Sequence, residues 1–174
     1  MERLKNGVLF SLLFLIWVFQ GSTAFAEMET LFSTEGSVRE SILREIESAT
    51  STLDLAIREI TSPDMAQALV KAKQRGVKLR IVADSKQGRL RTSQISYLIH
   101  QGIPVKVLGG KEKGMMNYRF AILDGKRVLT GTFDWSGTSE QWNYESLLMI
   151  NEGEVVATFQ KEFEKLWREK RVIQ

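Results

Sequence analysis

The sequence contains no cysteine among its 174 residues and only two prolines. Without cysteine the protein forms no disulfide, no thiolate nucleophile and no cysteine-ligated metal site, so its fold must rely on packing alone. No proline-rich linker, internal repeat or low-complexity tract divides the chain. A chain of this length, with 43% hydrophobic and 26% charged residues, is expected to form one globular domain.

The first 26 residues have the pattern of a cleaved export signal. Basic residues near the amino terminus precede a twelve-residue apolar run, 8–19, and residues 24–26 read Ala-Phe-Ala, which is typical of a signal-peptidase site. A retained membrane anchor fits less well, because twelve helical residues span roughly 18 Å of a hydrocarbon core that is about 30 Å thick. We expect cleavage after Ala26, a mature domain of residues 27–174, and a periplasmic or secreted location.

The charged residues are balanced in number but not in position. The whole chain has 24 basic and 21 acidic residues, and removal of Glu2, Arg3 and Lys5 with the leader leaves 22 and 20, a net charge of +2. The stretch 71–91 nevertheless holds eight basic residues against one acid, Asp84. It is either a positive face for phosphates or a solvated helix end and loop. The candidate patch for an anionic partner is Lys86, Arg89 and Arg91.

Residues 37–108 alternate between helix and strand patterns. Apolar residues recur at helical spacing after Ser37, and residues 53–57 alternate between apolar and other side chains as a strand does. Ser62-Pro63 is typical of a helix start and Gly76 of a helix end. This βαβ alternation predicts parallel strands joined by crossover helices. The predicted helices are 37–50, 62–76 and 92–101, and the predicted strands are 53–57, 77–83 and 103–108.

After a glycine-rich loop the pattern becomes antiparallel. Two strand patterns, 118–123 and 127–132, flank Asp124-Gly125, which is a strong signal for a β-hairpin. The remaining predicted elements are a strand at 144–150 and a terminal helix at 153–170. The expected fold class is α/β, with a mixed, mostly parallel sheet flanked by helices.

The hairpin and the residues after it carry a family resemblance. They read Asn117-Tyr118-Arg119, Asp124, Gly131-Thr132-Phe133-Asp134-Trp135 and Asn143-Tyr144-Glu145-Ser146. Their order and spacing resemble the His-x-Lys-x4-Asp, Gly-Ser/Thr-Phe-Asn-Trp and Asn-x-Glu-Asn motifs of the phospholipase D superfamily. Upstream, residues 53–62 resemble the family's first core strand, 75–80 its helix-to-strand joint and 102–105 the strand before the catalytic hairpin, so the likeness covers nearly all of residues 27–174. The resemblance implies a phospholipase D-like domain with its motif on a β-hairpin.

The most consequential departure from the family is Asn117, which takes the place of the nucleophilic histidine. In the family, a neutral imidazole attacks phosphorus and a second histidine, from the paired motif, protonates the leaving oxygen. A carboxamide performs neither step, and each lost step costs on the order of several kcal/mol. The single histidine, His100, lies in the predicted helix before Gly102, far along the chain from the motif, and is not expected to substitute.

The remaining motif positions keep some of the family's chemistry. Arg119 takes the place of a lysine and can bind phosphate bidentately, so with Thr132 it is the candidate phosphate-binding pair. Asp134 puts a carboxylate where the family has an amide donor, and this carboxylate repels an anion unless Arg119 neutralises it. Each acid and hydroxyl also has a structural alternative, such as a hairpin-turn role for Asp124. We hypothesise an Arg119–Asp134–Glu145 ion-pair cluster. The candidate catalytic positions are Asn117, Arg119, Asp124, Thr132, Asp134 and Glu145, with no metal and no cofactor expected.

The expected partners follow from the motif count and the aromatic residues. A chain with one motif copy is similar to the family members that build one site from two subunits, so a homodimer is expected. Phe133, Trp135 and Trp142 either pack in the core or a dimer interface, which we favour, or stack on nucleic-acid bases. Nucleic acid and anionic phospholipid both remain candidate ligands, because the motif reads only the phosphodiester.

Two main functions therefore remain open. One is a non-catalytic, exported binding module that keeps affinity for nucleic-acid or lipid phosphates, and this is the interpretation we favour. The other is an active phosphodiesterase, a nuclease or a phospholipase, that uses another nucleophile or a metal-activated water held by Asp134 or Glu145. A purely structural role without phosphate affinity is the third alternative.

Overall fold

The computed structural model describes residues 27–110, 112, 114–137 and 139–170, so the predicted leader lies outside the described residues. One seven-stranded sheet, in the order β1-β7-β6-β5-β2-β3-β4, organises the molecule. Its strands are β1 Met28–Phe32, β2 Thr52–Ile57, β3 Lys78–Asp84, β4 Val105–Leu108, β5 Arg119–Leu123, β6 Arg127–Gly131 and β7 Ser146–Ile150. The helices are α1 Val38–Ser48, α2 Pro63–Gln74, α3 Ile95–His100, α4 Ser139–Trp142 and α5 Gly153–Arg168, with a short 3₁₀ turn at Gln87–Arg89.

The parallel part of the sheet, β2-β3-β4, forms as the βαβ pattern predicts. The crossover helix α2 starts where expected, because the Ser62 hydroxyl accepts the Met65 N–H at 3.4 Å and Pro63 occupies the first turn. It ends before Gly76, whose φ of 96° is a backbone conformation that glycine adopts without a steric cost.

The rest of the sheet is antiparallel, so the prediction of a mostly parallel sheet is wrong. The β5–β6 hairpin inserts beside β2, and β7 and β1 extend the sheet beyond it, which makes four of the six strand pairings antiparallel. A sequence pattern identifies a hairpin but does not say which strand it joins. Asp124 and Gly125 both have positive φ, 54° and 63°, and they are the central residues of the turn in which the Lys126 N–H donates to the Leu123 carbonyl oxygen at 2.9 Å.

Helices cover both faces of the sheet and bury two apolar clusters. Helices α1, α2 and α3 pack on one face, over the inward side chains of β2, β3, β5, β6 and β7. Helix α5 packs on the other face, where Phe163 is fully buried against Val82 and Ile122. Each face removes apolar side chains from water, and this burial is the main favourable contribution to folding.

Several boundaries differ from the predictions. The predicted helix 92–101 shortens to Ile95–His100, because the Ser93 N–H closes a turn onto the Leu90 carbonyl oxygen at 2.9 Å and the Ser93 hydroxyl accepts the Ile95 N–H at 3.2 Å. Strand β1 was not predicted, because only Leu31 among its five residues is even partly buried and the strand has no buried apolar face. The short helix α4 was not predicted either. Within the described ranges, no helix is both long enough and apolar enough to cross a bilayer.

The two ends of the sheet, where its strands start and stop, hold different groups of residues. Because β2, β3 and β4 are parallel, the segments after them meet at one end of the sheet, together with the start of β5, the end of β6 and the start of β7. We call this end of the sheet the motif edge; of the described residues it carries 58–60, 84–91, 109–110, 112, 114–119, 131–136 and 143–146. We call the other end of the sheet the opposite edge; it carries the β5–β6 turn and the start of β3.

Candidate functional site

Three charged side chains meet at the motif edge because their strands are neighbours. Arg58 directly follows β2, and Arg119 opens β5, where it pairs with Ile57. Asp134 lies just after β6, in a segment held by a bridge between Ile60 and Trp135. Strand pairing thus brings together residues that lie up to 76 positions apart in the chain.

Asp134 accepts hydrogen bonds from both arginines at once. Its Oδ1 accepts Arg119 Nε at 2.7 Å and Arg58 Nε at 3.3 Å, and its Oδ2 accepts Arg58 Nη2 at 2.5 Å and Arg119 Nη2 at 3.3 Å. Two guanidinium forks therefore hold one carboxylate, each in the bidentate geometry that arginine favours. Glu59 also accepts Arg58 Nη2, at 2.6 Å. The group is locally balanced, with two positive and two negative charges.

These contacts shift the pKa values of Asp134 and Arg58. Burial acts to raise the pKa of Asp134, but the hydrogen bonds from Arg119 and Arg58 outweigh burial and hold that pKa below its ordinary value. The bond to Asp134 in turn raises the pKa of Arg58, against the effect of burial. The ion-pair hypothesis is therefore confirmed for Arg119 and Asp134 and wrong in its third member, because Arg58 and not Glu145 completes the cluster.

Glu145 belongs to a separate network, in which its hydrogen-bond donors are uncharged groups. It is 6% exposed, and its carboxylate accepts the Thr132 hydroxyl at 2.6 Å and the Asn143 amide at 3.3 Å. The Thr132 hydroxyl also accepts the Ser146 N–H at 2.9 Å. The threonine hydroxyl thus donates its one proton to Glu145, and the role of Thr132 in phosphate binding stays a prediction.

Asn117 is exposed at the start of the motif. It lines a groove of about 820 Å³ between residues 109, 110, 112 and 115–118 on one side and helix α5 on the other. The chain's single histidine lies elsewhere: His100 ends α3, next to the start of β4 at the opposite edge, with Nδ1 2.7 Å from the Ser96 carbonyl oxygen. No imidazole of this chain is therefore in a position to take the place of the family's nucleophile.

Asp124 lies at the opposite edge and contacts none of the other motif residues. Its carboxylate accepts the backbone N–H groups of Thr50, Ser51 and Thr52 at 2.7–3.2 Å, together with two hydroxyl groups. Burial acts to raise the pKa of Asp124, but these bonds hold it far below its ordinary value. This residue joins the hairpin turn to the segment before β2, as its structural alternative predicted.

Asp84 is a positioning residue that the sequence did not single out for this role. It is fully buried at the end of β3, and it accepts the backbone N–H groups of Lys86, Gln87 and Met116 at 2.9–3.0 Å. It therefore joins the basic loop to the residue before Asn117. The sequence feature that could have identified Asp84 is a single acidic residue at the end of a predicted strand, within a basic stretch.

The basic stretch does not form one face. Lys71, Lys73, Arg75 and Lys78 lie at the opposite edge, around the end of α2 and the start of β3. Arg80 is internally paired, with Asp54 at 2.7 Å and Glu164 at 2.7 Å. Only the patch of Lys86, Arg89 and Arg91 is exposed at the motif edge.

The aromatic residues divide into two groups. Phe133 and Trp135 are buried in the core, which confirms the packing interpretation for them. Trp142 is 74% exposed and Tyr144 is 89% exposed, in the segment that leads into β7. Core packing is therefore wrong for Trp142. Within the described residues, no three acidic, histidine or cysteine side chains come together as a set of metal ligands.

Comparison with known proteins places these features in a family. The family model described as cardiolipin synthase, PLD-like domain, matches residues 42–167. The chain is 35% identical over 128 residues to the mitochondrial cardiolipin hydrolase of Mus musculus, covering 74% of this chain and 57% of that protein. It is 33% identical over 120 residues to the corresponding hydrolase of Chlamydomonas reinhardtii, covering 69% and 53%. The chain thus spans a little over half the length of these relatives.

Two solved structures have the same fold over almost their full length. The phospholipase D family member Nuc from Salmonella typhimurium superposes with a TM-score of 0.76 and 29% identity, over 84% of this chain and 97% of that one. NucT from Helicobacter pylori superposes with a TM-score of 0.68 and 27% identity, over 81% and 96%. The family model and the relatives agree, and the chain belongs to the phospholipase D superfamily.

Proposed function

We propose that this protein is a non-catalytic member of the phospholipase D superfamily that binds phosphodiester-containing anions. The observation that carries the proposal is Asn117 at the nucleophile's place, at a motif edge that no histidine of the chain reaches. An uncharged carboxamide neither attacks phosphorus nor exchanges a proton near neutral pH. Loss of the nucleophile and the acid/base pair removes steps worth on the order of several kcal/mol each.

The hydrogen bonds that Asp134 and Glu145 already make argue against the alternative mechanism, in which one of these acids holds a metal that activates water. Both oxygens of Asp134 accept hydrogen bonds from arginines, and these cations would repel a metal ion at that carboxylate. Glu145 is buried and bonded to Thr132. A metal would have to displace these donors before either acid became a ligand.

The anion-binding part of the proposal rests on the patch of Lys86, Arg89 and Arg91. It lies at the motif edge, next to Asn117 through the shared anchor Asp84. Exposed lysine and arginine side chains attract the phosphates of nucleic acid and of anionic lipids in a salt-dependent way. The curated relatives are named as cardiolipin hydrolases, which makes an anionic phospholipid the first ligand to test.

We propose in addition that the protein is exported through residues 1–26 and acts as a homodimer. The exposed side chains of Trp142 and Tyr144 at the motif edge support an interface there, because large aromatic residues are enriched at protein interfaces. Size-exclusion chromatography with light scattering of the wild type and of Trp142→Ser/Tyr144→Ser tests the dimer. A monomeric wild type would contradict it. Amino-terminal sequencing of the exported protein tests cleavage after Ala26.

The first experiment measures turnover of bis-p-nitrophenyl phosphate by purified residues 27–174, with EDTA and with added divalent metals. We expect no release above a heat-inactivated control. Metal-independent release would overturn the claim that Asn117 ends the chemistry, and metal-dependent release would favour the alternative mechanism.

Binding is measured separately, on vesicles of phosphatidylglycerol and phosphatidylcholine and on single-stranded DNA, over a salt titration. We expect affinity to fall in Lys86→Gln/Arg89→Gln/Arg91→Gln, because these three cations lie at the motif edge. The control is Lys71→Gln/Lys78→Gln/Lys126→Gln, which removes three exposed charges at the opposite edge and should retain binding. Equal losses in both variants would show that only net charge matters.

A further inference from the structure

Arg58 is a charged residue of the site that no motif identifies. Its side chain is 22% exposed, that of Arg119 is 23% exposed and that of Asp134 is 15% exposed, so water reaches all three. The carboxylate of Asp134 lies between the two guanidinium groups and accepts four hydrogen bonds from them. In the family an amide donor occupies the position of Asp134. In this chain the oxygens that accept bonds from the two arginines therefore belong to a protein side chain and not to a ligand.

We propose that Arg58 and Arg119 form a phosphate-binding clamp that Asp134 fills as an internal competing anion. A phosphate group presents two oxygens to a guanidinium fork much as a carboxylate does, so the same donors fit either group. The inference rests on the proposed function, since it concerns the same site, and it names the group that the site recognises. A ligand phosphate enters when the Asp134 side chain turns away.

Contacts other than Asp134 hold the guanidinium of Arg58 and the backbone of Arg119. Glu59 accepts Arg58 Nη2 at 2.6 Å and orients its guanidinium. The backbone of Arg119 is fixed in β5, directly opposite Ile57, and its carbonyl oxygen accepts the Thr130 hydroxyl at 3.0 Å. With Asp134 replaced by asparagine, the two guanidinium groups and the Glu59 carboxylate together have a net charge of +1.

The backbone around Asp134 is also held independently of its carboxylate. Trp135 is buried, and its carbonyl oxygen accepts the N–H groups of Thr61 at 2.9 Å and Ser62 at 3.1 Å. On the other side, the Thr132 N–H donates to the Ser146 carbonyl oxygen at 3.1 Å. Displacement of the carboxylate therefore requires only a side-chain rotation, and Asp134→Asn is expected to fold.

The test compares inorganic phosphate binding by wild type and Asp134→Asn, using calorimetry and thermal unfolding in phosphate against sodium chloride of equal ionic strength. We expect the variant to bind phosphate about tenfold more tightly or better, since a hydrogen bond to a charged group contributes that much. Its melting temperature should rise with phosphate, while that of the wild type should hardly respond. Asp134→Ser removes the same charge and replaces Asp134→Asn if the latter does not fold.

The matched control tests whether Arg58 is responsible for the gain in phosphate affinity of Asp134→Asn. Adding Arg58→Gln to Asp134→Asn should abolish the gain, whereas adding Arg44→Gln, an exposed arginine of α1, should not. No gain in Asp134→Asn, or a gain that survives the loss of Arg58, would overturn the clamp. Neither result bears on turnover by the wild type, so the clamp and the non-catalytic function fail separately.

Discussion

The two aspartates of the motif region, Asp124 and Asp134, are both carboxylates with a lowered pKa, but they are held in different ways. Asp124 accepts bonds from the backbone and hydroxyl groups of residues 50–52. Within the described residues, the Asp134 carboxylate accepts hydrogen bonds from the side chains of Arg58 and Arg119 and from no backbone group. Backbone donors are present whatever the side chains are, so Asp124 serves the fold. Asp134 offsets the charges of two cations, which in our proposal bind a ligand phosphate.

This comparison explains how a motif can keep its spacing while its chemistry changes. The turn acid, which the fold needs, is unchanged at Asp124. Three positions to which the family resemblance assigns catalysis or phosphate contact differ, at Asn117, Arg119 and Asp134. The hairpin turn and the reacting group therefore depend on different residues of one motif.

The largest expected effect comes from restoring the chemistry. The triple change Asn117→His, Arg119→Lys, Asp134→Asn should restore hydrolysis of bis-p-nitrophenyl phosphate, with release about a hundredfold above background or more, because acid–base catalysis by a positioned histidine contributes that much. The control carries Asn117→Gln in place of Asn117→His and should remain inactive. An inactive triple variant would show that the scaffold has changed beyond the motif.

A stability measurement separates the two aspartates. Asp124→Ala should lower the free energy of unfolding by about 2–3 kcal/mol, because it leaves several backbone donors without their acceptor and places alanine at a positive φ. It should leave phosphate affinity unchanged. Urea titration of Asp124→Ala and Asp134→Asn checks this, and a phosphate-binding change in Asp124→Ala would contradict the division of roles.

The pH dependence of stability should identify Asp124 as well. A carboxyl with a lowered folded-state pKa adds stability above its ordinary pKa of 3.8, and this contribution is lost as the pH falls toward the folded-state value. The advantage of wild type over Asp124→Asn should therefore be constant near neutral pH and should shrink progressively as the pH falls from about 5 to about 3. Urea midpoints from pH 7 to pH 3 measure it; a constant difference would refute the assignment.

The smallest effect is expected at Thr132. Thr132→Val removes the hydroxyl that joins Glu145 to the Ser146 N–H, and it should cost about 1 kcal/mol of stability. If Thr132 serves structure only, the affinity of Asp134→Asn for phosphate should not change when Thr132→Val is added. A tenfold loss of that affinity would assign the hydroxyl to the phosphate site instead.

Local patterns predicted most of the elements but not their arrangement. The capping serine at residue 62, the glycine at residue 76 and the Asp124-Gly125 turn act through their immediate neighbours, so the sequence alone identifies them. Strand β1 lacks a buried face and carries no such signal. The insertion of the hairpin beside β2 depends on contacts between distant segments, and the sheet therefore proved mixed with mostly antiparallel pairs.

The same division applies to the site. The sequence by itself determined the family resemblance, the missing nucleophile and the replacement of an amide by Asp134, because each is a property of residue type and spacing. Only the tertiary structure decided that Arg58 joins Arg119, that Glu145 turns to Thr132, and that His100 lies at the far edge. Those outcomes depend on which strands are neighbours, and hydrogen bonds form between side chains that strand pairing brings together, however far apart they lie along the chain.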